Sequence, residues 1–195
     1  MKKQIVLVIA LIATLSTFGQ VVSKGDHYAS AFLGIGGFYH TSYNHNMLVP
    51  PIGAQYEVIY TDKVGIGHIG IGGIATYASF HQHYSYQSLD SYHHYITLGA
   101  RGIYHFDFKE LLDNEQFDKI DLYGGIMLGF NFRRGIENFG INTTRNTYSQ
   151  LRLATDLFVG GRYFFSDNLA VMAELGYGLY FLNAGVTLKL KNQKN

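Results

Sequence analysis

Apolar residues recur at every second position through most of this chain, and that period fits a β-strand with one apolar face rather than a helix. Leu182 to Leu190 is the clearest case: Leu182, Ala184, Val186, Leu188 and Leu190 alternate with Asn183, Gly185, Thr187 and Lys189. In Leu169 to Gly178 the apolar set is Leu169, Val171, Ala173, Leu175 and Tyr177, with Ala170, Met172, Glu174, Gly176 and Gly178 between. Residues 151–165, 121–133 and 95–106 repeat the pattern, as does Ile52 to Tyr60. Gly-rich stretches at 28–39 and 65–80 complete a set of eight. Most are close to the roughly 9 to 11 residues that a tilted strand needs to cross a bilayer.

The first residues are of another kind. Lys2 and Lys3 precede the apolar run Ile5 to Leu15, and small residues at Thr17 and Gly19 stand before Gln20. That is the make-up of a secretory signal, so residues 1–19 are expected to be removed and residues 20–195 to form one domain. The run is too short for a membrane-spanning helix, which needs about 20 apolar residues. No Cys is present, which excludes a lipoprotein anchor, disulfides and thiolate metal sites.

If this domain spans a membrane, it must do so with strands. The breaks between stretches alternate in character, with short turns at Asp62-Lys63 and Ser166-Asp167-Asn168 and long polar segments at 40–51, 83–92 and 134–150. Such alternation, with an even strand number, suits an outer-membrane barrel with both termini in the periplasm. Residues 107–121, rich in Asp and Glu, read as an extended acidic turn on the short side. A soluble barrel would show the same period with its apolar face inward. Aromatic residues at strand ends, Tyr39, Tyr60, Tyr77, Tyr104, Phe106, Tyr163 and Phe165, favour the membrane, because such rings prefer the headgroup zone. The expected fold is therefore all-β: an eight-stranded antiparallel transmembrane β-barrel of up-and-down topology.

Arg101 with Tyr104-His105-Phe106, the stretch Gly160 to Ser166, the run Ala173 to Gly178 and the closing strand Leu182 to Leu190 resemble the small outer-membrane barrels related to OmpA, OmpX and the opacity proteins of Gram-negative bacteria. The resemblance implies a fold and a place in the bacterial outer membrane, among lipid and lipopolysaccharide. It implies no single activity, since this fold hosts adhesins, structural anchors and a few enzymes.

Several local patterns carry chemistry on paper. Gly65-Ile66-Gly67-His68-Ile69-Gly70 spells a dinucleotide fingerprint, but Ile71 to Phe80 reads as strand where that motif requires a helix. No cofactor is expected. His81 and His83 would share a strand face, and His93 and His94 return across the same segment, so the four could ligate Zn, Cu or Ni with Asp90 as an oxygen ligand. The plainer alternative is a solvated segment rich in Tyr and His. Ser79, His81, His83, Ser85 and Asp90 are the residue types of a hydrolytic or acyl-transfer site, with nothing in the sequence to fix their geometry.

The alternate face of the strands is expected to line the lumen with a polar network: Glu57, His68, Arg101, Arg133, Arg152, Asp156, Arg162, Glu174 and Lys189. Tight turns at Asp62-Lys63 and Asp167-Asn168-Leu169 would bring Glu57 opposite His68 and Arg162 opposite Glu174. Burial of charge requires pairing, so these groups should close the lumen as ion pairs.

Without Lys2 and Lys3 the chain has 13 basic and 14 acidic residues, from 15 and 14 in all. A nucleic-acid partner, which needs a basic surface, is excluded. The leading expectation is a non-enzymatic structural or interaction protein of the cell surface, with an extracellular ligand at the long segments. The alternatives are a small pore and a lipid-modifying enzyme.

Overall fold

The computed structural model describes residues 22–36, 46–84, 89–107, 118–139 and 144–190. Eight strands follow in chain order: β1 (His27–Ile35), β2 (Asn46–Ile59), β3 (Gly67–Tyr84), β4 (Leu89–Phe106), β5 (Ile120–Phe139), β6 (Thr144–Phe164), β7 (Leu169–Tyr177) and β8 (Leu182–Leu190). Each pairs antiparallel with the next, and β8 returns to β1 from Leu190 beside His27 to Leu182 beside Ile35. The ladder thus closes into an up-and-down barrel, which satisfies backbone donors and acceptors where hydrocarbon would leave them unmet.

Which face is apolar decides what surrounds the barrel. Leu128, Val159, Leu175 and Val186 point outward and are 51 to 60 % exposed, while Glu57, Arg101, Arg162 and Glu174 point inward and are buried. That is the reverse of a soluble barrel, and it makes the fold a transmembrane one. On β5 the outward positions from Leu122 to Phe132 are apolar or Gly. At about 3.3 Å per residue and a tilt near 40°, they cover roughly 25 Å, the height of an outer-membrane apolar band.

Strand lengths differ from the sequence expectation at one end. The segments 83–92 and 134–150 are largely strand: β3 and β4 run to Tyr84 and Leu89, and β5 and β6 to Phe139 and Thr144. Likewise β2 begins at Asn46, inside the expected segment 40–51, while β1 stops at Ile35. Beyond the apolar band neither face of a sheet meets lipid, so the apolar period disappears while backbone pairing continues. Residues 37–45, 85–88 and 140–143 lie outside the described residues. So do 108–117 of the acidic turn, whose residues 118–119 form a short 3₁₀ turn before β5.

The register differs as well. Glu57 stands opposite Gly72, not His68, because residues 60–66 form a wider connection in which Tyr60 and Thr61 N–H both donate to Ile69 O. Arg162 stands opposite Met172, and Glu174 opposite Gly160, because Phe165 and Ser166 N–H both donate to Leu169 O. Both slips are by even numbers, so every side chain keeps its face.

Two clusters occupy the inward side. Val22, Tyr28, Ile59, Phe164 and Ala170 pack at the end where the described chain begins and ends. Phe32, Ile74, Ile103, Tyr123, Met127, Phe158, Leu179 and Tyr180 form the other. Leu179 and Tyr180 belong to the connection between β7 and β8, which folds its side chains into the lumen.

Candidate functional site

Strand alternation brings Glu57 of β2, His105 of β4, Asp121 of β5 and Arg162 of β6 to one level of the lumen. Arg162 Nη2 donates to Glu57 Oε2 at 2.6 Å, and Nη1 donates to Asp121 Oδ2 at 3.1 Å. His105 Nδ1 meets Asp121 Oδ1 at 2.8 Å, and its Nε2 meets Glu57 Oε1. Carboxylates only accept, so an imidazole with both nitrogens on carboxylates is doubly protonated. The result is a closed ring of two anions and two cations, with no net charge in a place where unpaired charge is costly.

Aromatic rings hold this ring in place. The Arg162 guanidinium lies 4.7 Å from the Tyr28 ring centroid and 4.5 Å from that of Tyr123, within cation–π range of both. Tyr28 also stacks on His105 at 6.5 Å between centroids.

A second cluster is centred on Glu174. Its Oε1 accepts from Arg101 Nη2 at 2.9 Å, from the Tyr123 hydroxyl at 2.8 Å and from Gln55 Nε2 at 3.3 Å. Asn183 Nδ2 donates to Oε2 at 3.0 Å. Gly160 makes room for this arrangement: a Cβ there would lie 2.6 Å from Glu174 Cγ and 2.9 Å from the Tyr123 ring. Arg101 stacks on Phe158 at 3.8 Å. Tyr123 thus touches both clusters.

The other residues anticipated for the lumen face inward at different levels. His68 is buried, its Nδ1 3.4 Å from Thr61 O. Lys189 pairs with Asp26 at 2.8 Å, and Asp156 Oδ1 accepts the Leu179 N–H at 3.2 Å. Arg133 lies higher, donating to the Tyr148 hydroxyl at 3.2 Å and within 3.4 Å of His93 Nδ1. Arg152 is exposed and donates to Gln150 Oε1 at 3.2 Å. Outside the barrel wall, a hydrogen bond from Lys24 at 2.5 Å holds the Asp62 carboxyl below the usual carboxylate range and ties the segment before β1 to the β2–β3 connection.

The lumen network expected from sequence leaves out His105, Asp121, Tyr28 and Tyr123, although His105 and Tyr123 read as the polar face of their strands. The signal was present, since His105 shares parity with Arg101, and Asp121 with Tyr123. Leu179 and Tyr180 carried none, because their inward fold depends on a connection rather than on alternation.

The four histidines proposed as metal ligands do not converge. In the ladder His93 pairs with Phe80 on the inward face and His94 with Ser79 on the outward one. Adjacent residues on a strand point to opposite faces, so the two cannot share one ion. His81 Nε2 meets Asp90 Oδ1 at 3.0 Å on the outward side, and the His83 side chain lies outside the described residues. Among the described residues no group of three or more His, Asp and Glu is placed to hold a metal ion.

The hydrolytic set is also rearranged. Ser79 Oγ lies 3.2 Å from His94 Nδ1, which also meets the Tyr77 hydroxyl at 2.9 Å. Asp90 is bonded to His81, not to His94, so serine, base and acid do not form a relay. Ser85 lies outside the described residues.

The sequence matches no protein-family description and no curated protein. Among solved structures, the chain is similar to Neisserial surface protein A, at 15 % identity over 85 % of this chain and 96 % of that one, with a TM-score of 0.48. It is similar to the N-terminal β-barrel domain of Pseudomonas aeruginosa OprF, at 14 % identity over 87 % and 100 % of the two chains, with a TM-score of 0.46. It is also similar to Ail, the attachment invasion locus protein of Yersinia pestis, solved with the heparin analogue sucrose octasulfate, at 14 % identity over 85 % and 96 %, with a TM-score of 0.44. All three are small outer-membrane barrels, and this chain is likewise a closed barrel of eight strands.

Proposed function

We propose that the protein is a non-enzymatic surface interaction protein of the bacterial outer membrane, with residues 1–19 removed on export and both termini in the periplasm. The observation that carries this reading is the inequality of the strands. β1, β7 and β8 have nine residues each, enough to cross the membrane, whereas β5 and β6 have 20 and 21. Beyond the row Tyr77, Ile96, Phe132 and Leu151 each of β3 to β6 continues for seven residues, which at about 3.3 Å each extends that side roughly 23 Å along the strands past the apolar band.

A wall of this kind presents backbone as well as side chains. β6 pairs with β7 only as far as Leu157, opposite Tyr177, so from Thr144 to Asp156 its ladder runs on the β5 side alone. Beyond the apolar band, along Thr144 to Gln150, an extended peptide of a partner could add as a further strand. The filled lumen supports an anchor over a pore, because eight strands leave room for side chains and little else.

The test is an epitope inserted between Asn142 and Thr143, read on intact cells beside a second epitope after Asn195. The first should be accessible on intact cells and the second only after permeabilisation; the opposite pattern would overturn the orientation. Lipid A mass spectra from cells with and without the protein should coincide, and a modified lipid A would favour the enzyme.

A further inference from the structure

At the upper edge of the apolar band the outward face changes character within one row of the ladder. Ser79, His94, Arg134 and Ser149 stand side by side across β3 to β6. The row beneath them is Tyr77, Ile96, Phe132 and Leu151. A groove of about 650 Å³ joins the two, lined by His94, Arg134 and Ser149 in the upper row and by Ile96, Phe132 and Leu151 in the lower, with Arg133, Gln150 and, a row higher, Ile136 at its edges. Directly opposed side chains have Cβ atoms about 4.5 to 5.5 Å apart, so Arg134 has His94 on one flank and Ser149 on the other.

The row carries donors beside the groove. His94 Nδ1 lies 2.9 Å from the Tyr77 hydroxyl and 3.2 Å from that of Ser79, and when it accepts from either, the proton of a neutral ring sits on Nε2. Arg134 is exposed, and its fork of N–H groups matches a phosphate bidentately. Asp90, the acid of this outward region, is bonded to His81. The three apolar side chains below are 46 to 58 % exposed and face hydrocarbon.

We propose that this groove holds a phosphate-bearing lipid of the outer leaflet, the lipid A of lipopolysaccharide, with a phosphate on Arg134, His94 Nε2–H and Ser149 and an acyl chain along Ile96, Phe132 and Leu151. Charge complementarity selects an anionic headgroup, and the polar row directly above an apolar one selects an amphiphile over a free anion. The site rests on the orientation proposed above, in which the β3–β6 wall faces outward.

The experiment is native mass spectrometry of the folded barrel in detergent, with bisphosphorylated lipid A, its dephosphorylated form, phosphatidylglycerol or inorganic phosphate added singly. Lipid A should be retained best. Arg134→Gln should lower its retention roughly tenfold or more, the effect of losing a charge-assisted hydrogen bond. Arg134→Lys should fall between, and Arg152→Gln, on the inward face, should match wild type. Retention by Arg134→Gln equal to wild type would overturn the site. So would equal retention of the dephosphorylated lipid by wild type, an observation that needs no variant to fold. Equal or better retention of phosphatidylglycerol or inorganic phosphate would overturn the choice of lipid A. Display is read separately by the epitopes: lost lipid binding with normal display refutes the site alone, and inverted display with intact binding refutes the surface reading alone.

Discussion

Replacing Arg162 with Ala is the most informative single perturbation of the lumen. The guanidinium is 1 % exposed and makes two charge-assisted hydrogen bonds, to Glu57 at 2.6 Å and to Asp121 at 3.1 Å, between the rings of Tyr28 and Tyr123. Its loss leaves two buried carboxylates sharing one imidazolium, His105. Removing one partner of a buried charge cluster costs about 3 to 5 kcal/mol. That is a large share of the roughly 5 to 15 kcal/mol by which a folded domain is stable. The assay is urea unfolding in phospholipid vesicles, with the folded fraction read from unboiled samples on a gel. The variant should unfold at clearly lower urea. Arg162→Met combined with Glu57→Gln and Asp121→Asn should recover much of the loss, since neutralising both carboxylates together with the guanidinium leaves no buried anion short of a partner. An unchanged midpoint for Arg162→Ala, or a combined variant no better than the single one, would refute the ring as a stabilising unit.

Arg in place of Leu128, Val159, Leu175 or Val186 should cost roughly 2 to 4 kcal/mol near the bilayer midplane, seen as reduced refolding into liposomes. Refolding equal to wild type in all four would mean that the faces are reversed. In planar bilayers the wild-type barrel should show small openings or none, because Tyr28, Tyr123, Leu179 and Tyr180 are buried within the lumen. Openings should grow when Arg162 or Glu174 becomes Ala, and large steady openings in the wild type would contradict the closed lumen.

Strand number, order and faces were legible because lipid on one side and packed polar groups on the other impose a period of two on β7, β8 and the lower part of β4 to β6. The upper halves of β3 to β6 were not, since water on both faces removes the selection for alternation: Ser91 and Tyr92 are strand, yet fall in the segment 83–92 that reads as polar. Register was misread by counting from assumed two- and three-residue turns, and the wider connections at 60–66 and 165–168 moved Glu57 and Arg162 along the ladder without turning them outward. For the same reason the inward charged residues were found while their partners were not. Glu57 meets Arg162 across the lumen, 105 residues apart in sequence, which no nearest-strand pairing reveals. The histidine quartet failed on parity alone, as His93 and His94 are consecutive on one strand.

The central claim is a membrane barrel whose even-numbered β5 residues face lipid. The chain has no Cys, so single Cys substitutions along residues 122–132 can each carry one nitroxide label. Collision with oxygen, which concentrates in hydrocarbon, should be high at Leu122, Ile126, Leu128, Phe130 and Phe132 and low at Tyr123, Met127 and Asn131. A water-soluble nickel complex should reach neither set at mid-membrane depth. Oxygen accessibility with the opposite phase, or nickel access at Ile126 and Leu128, would contradict the account.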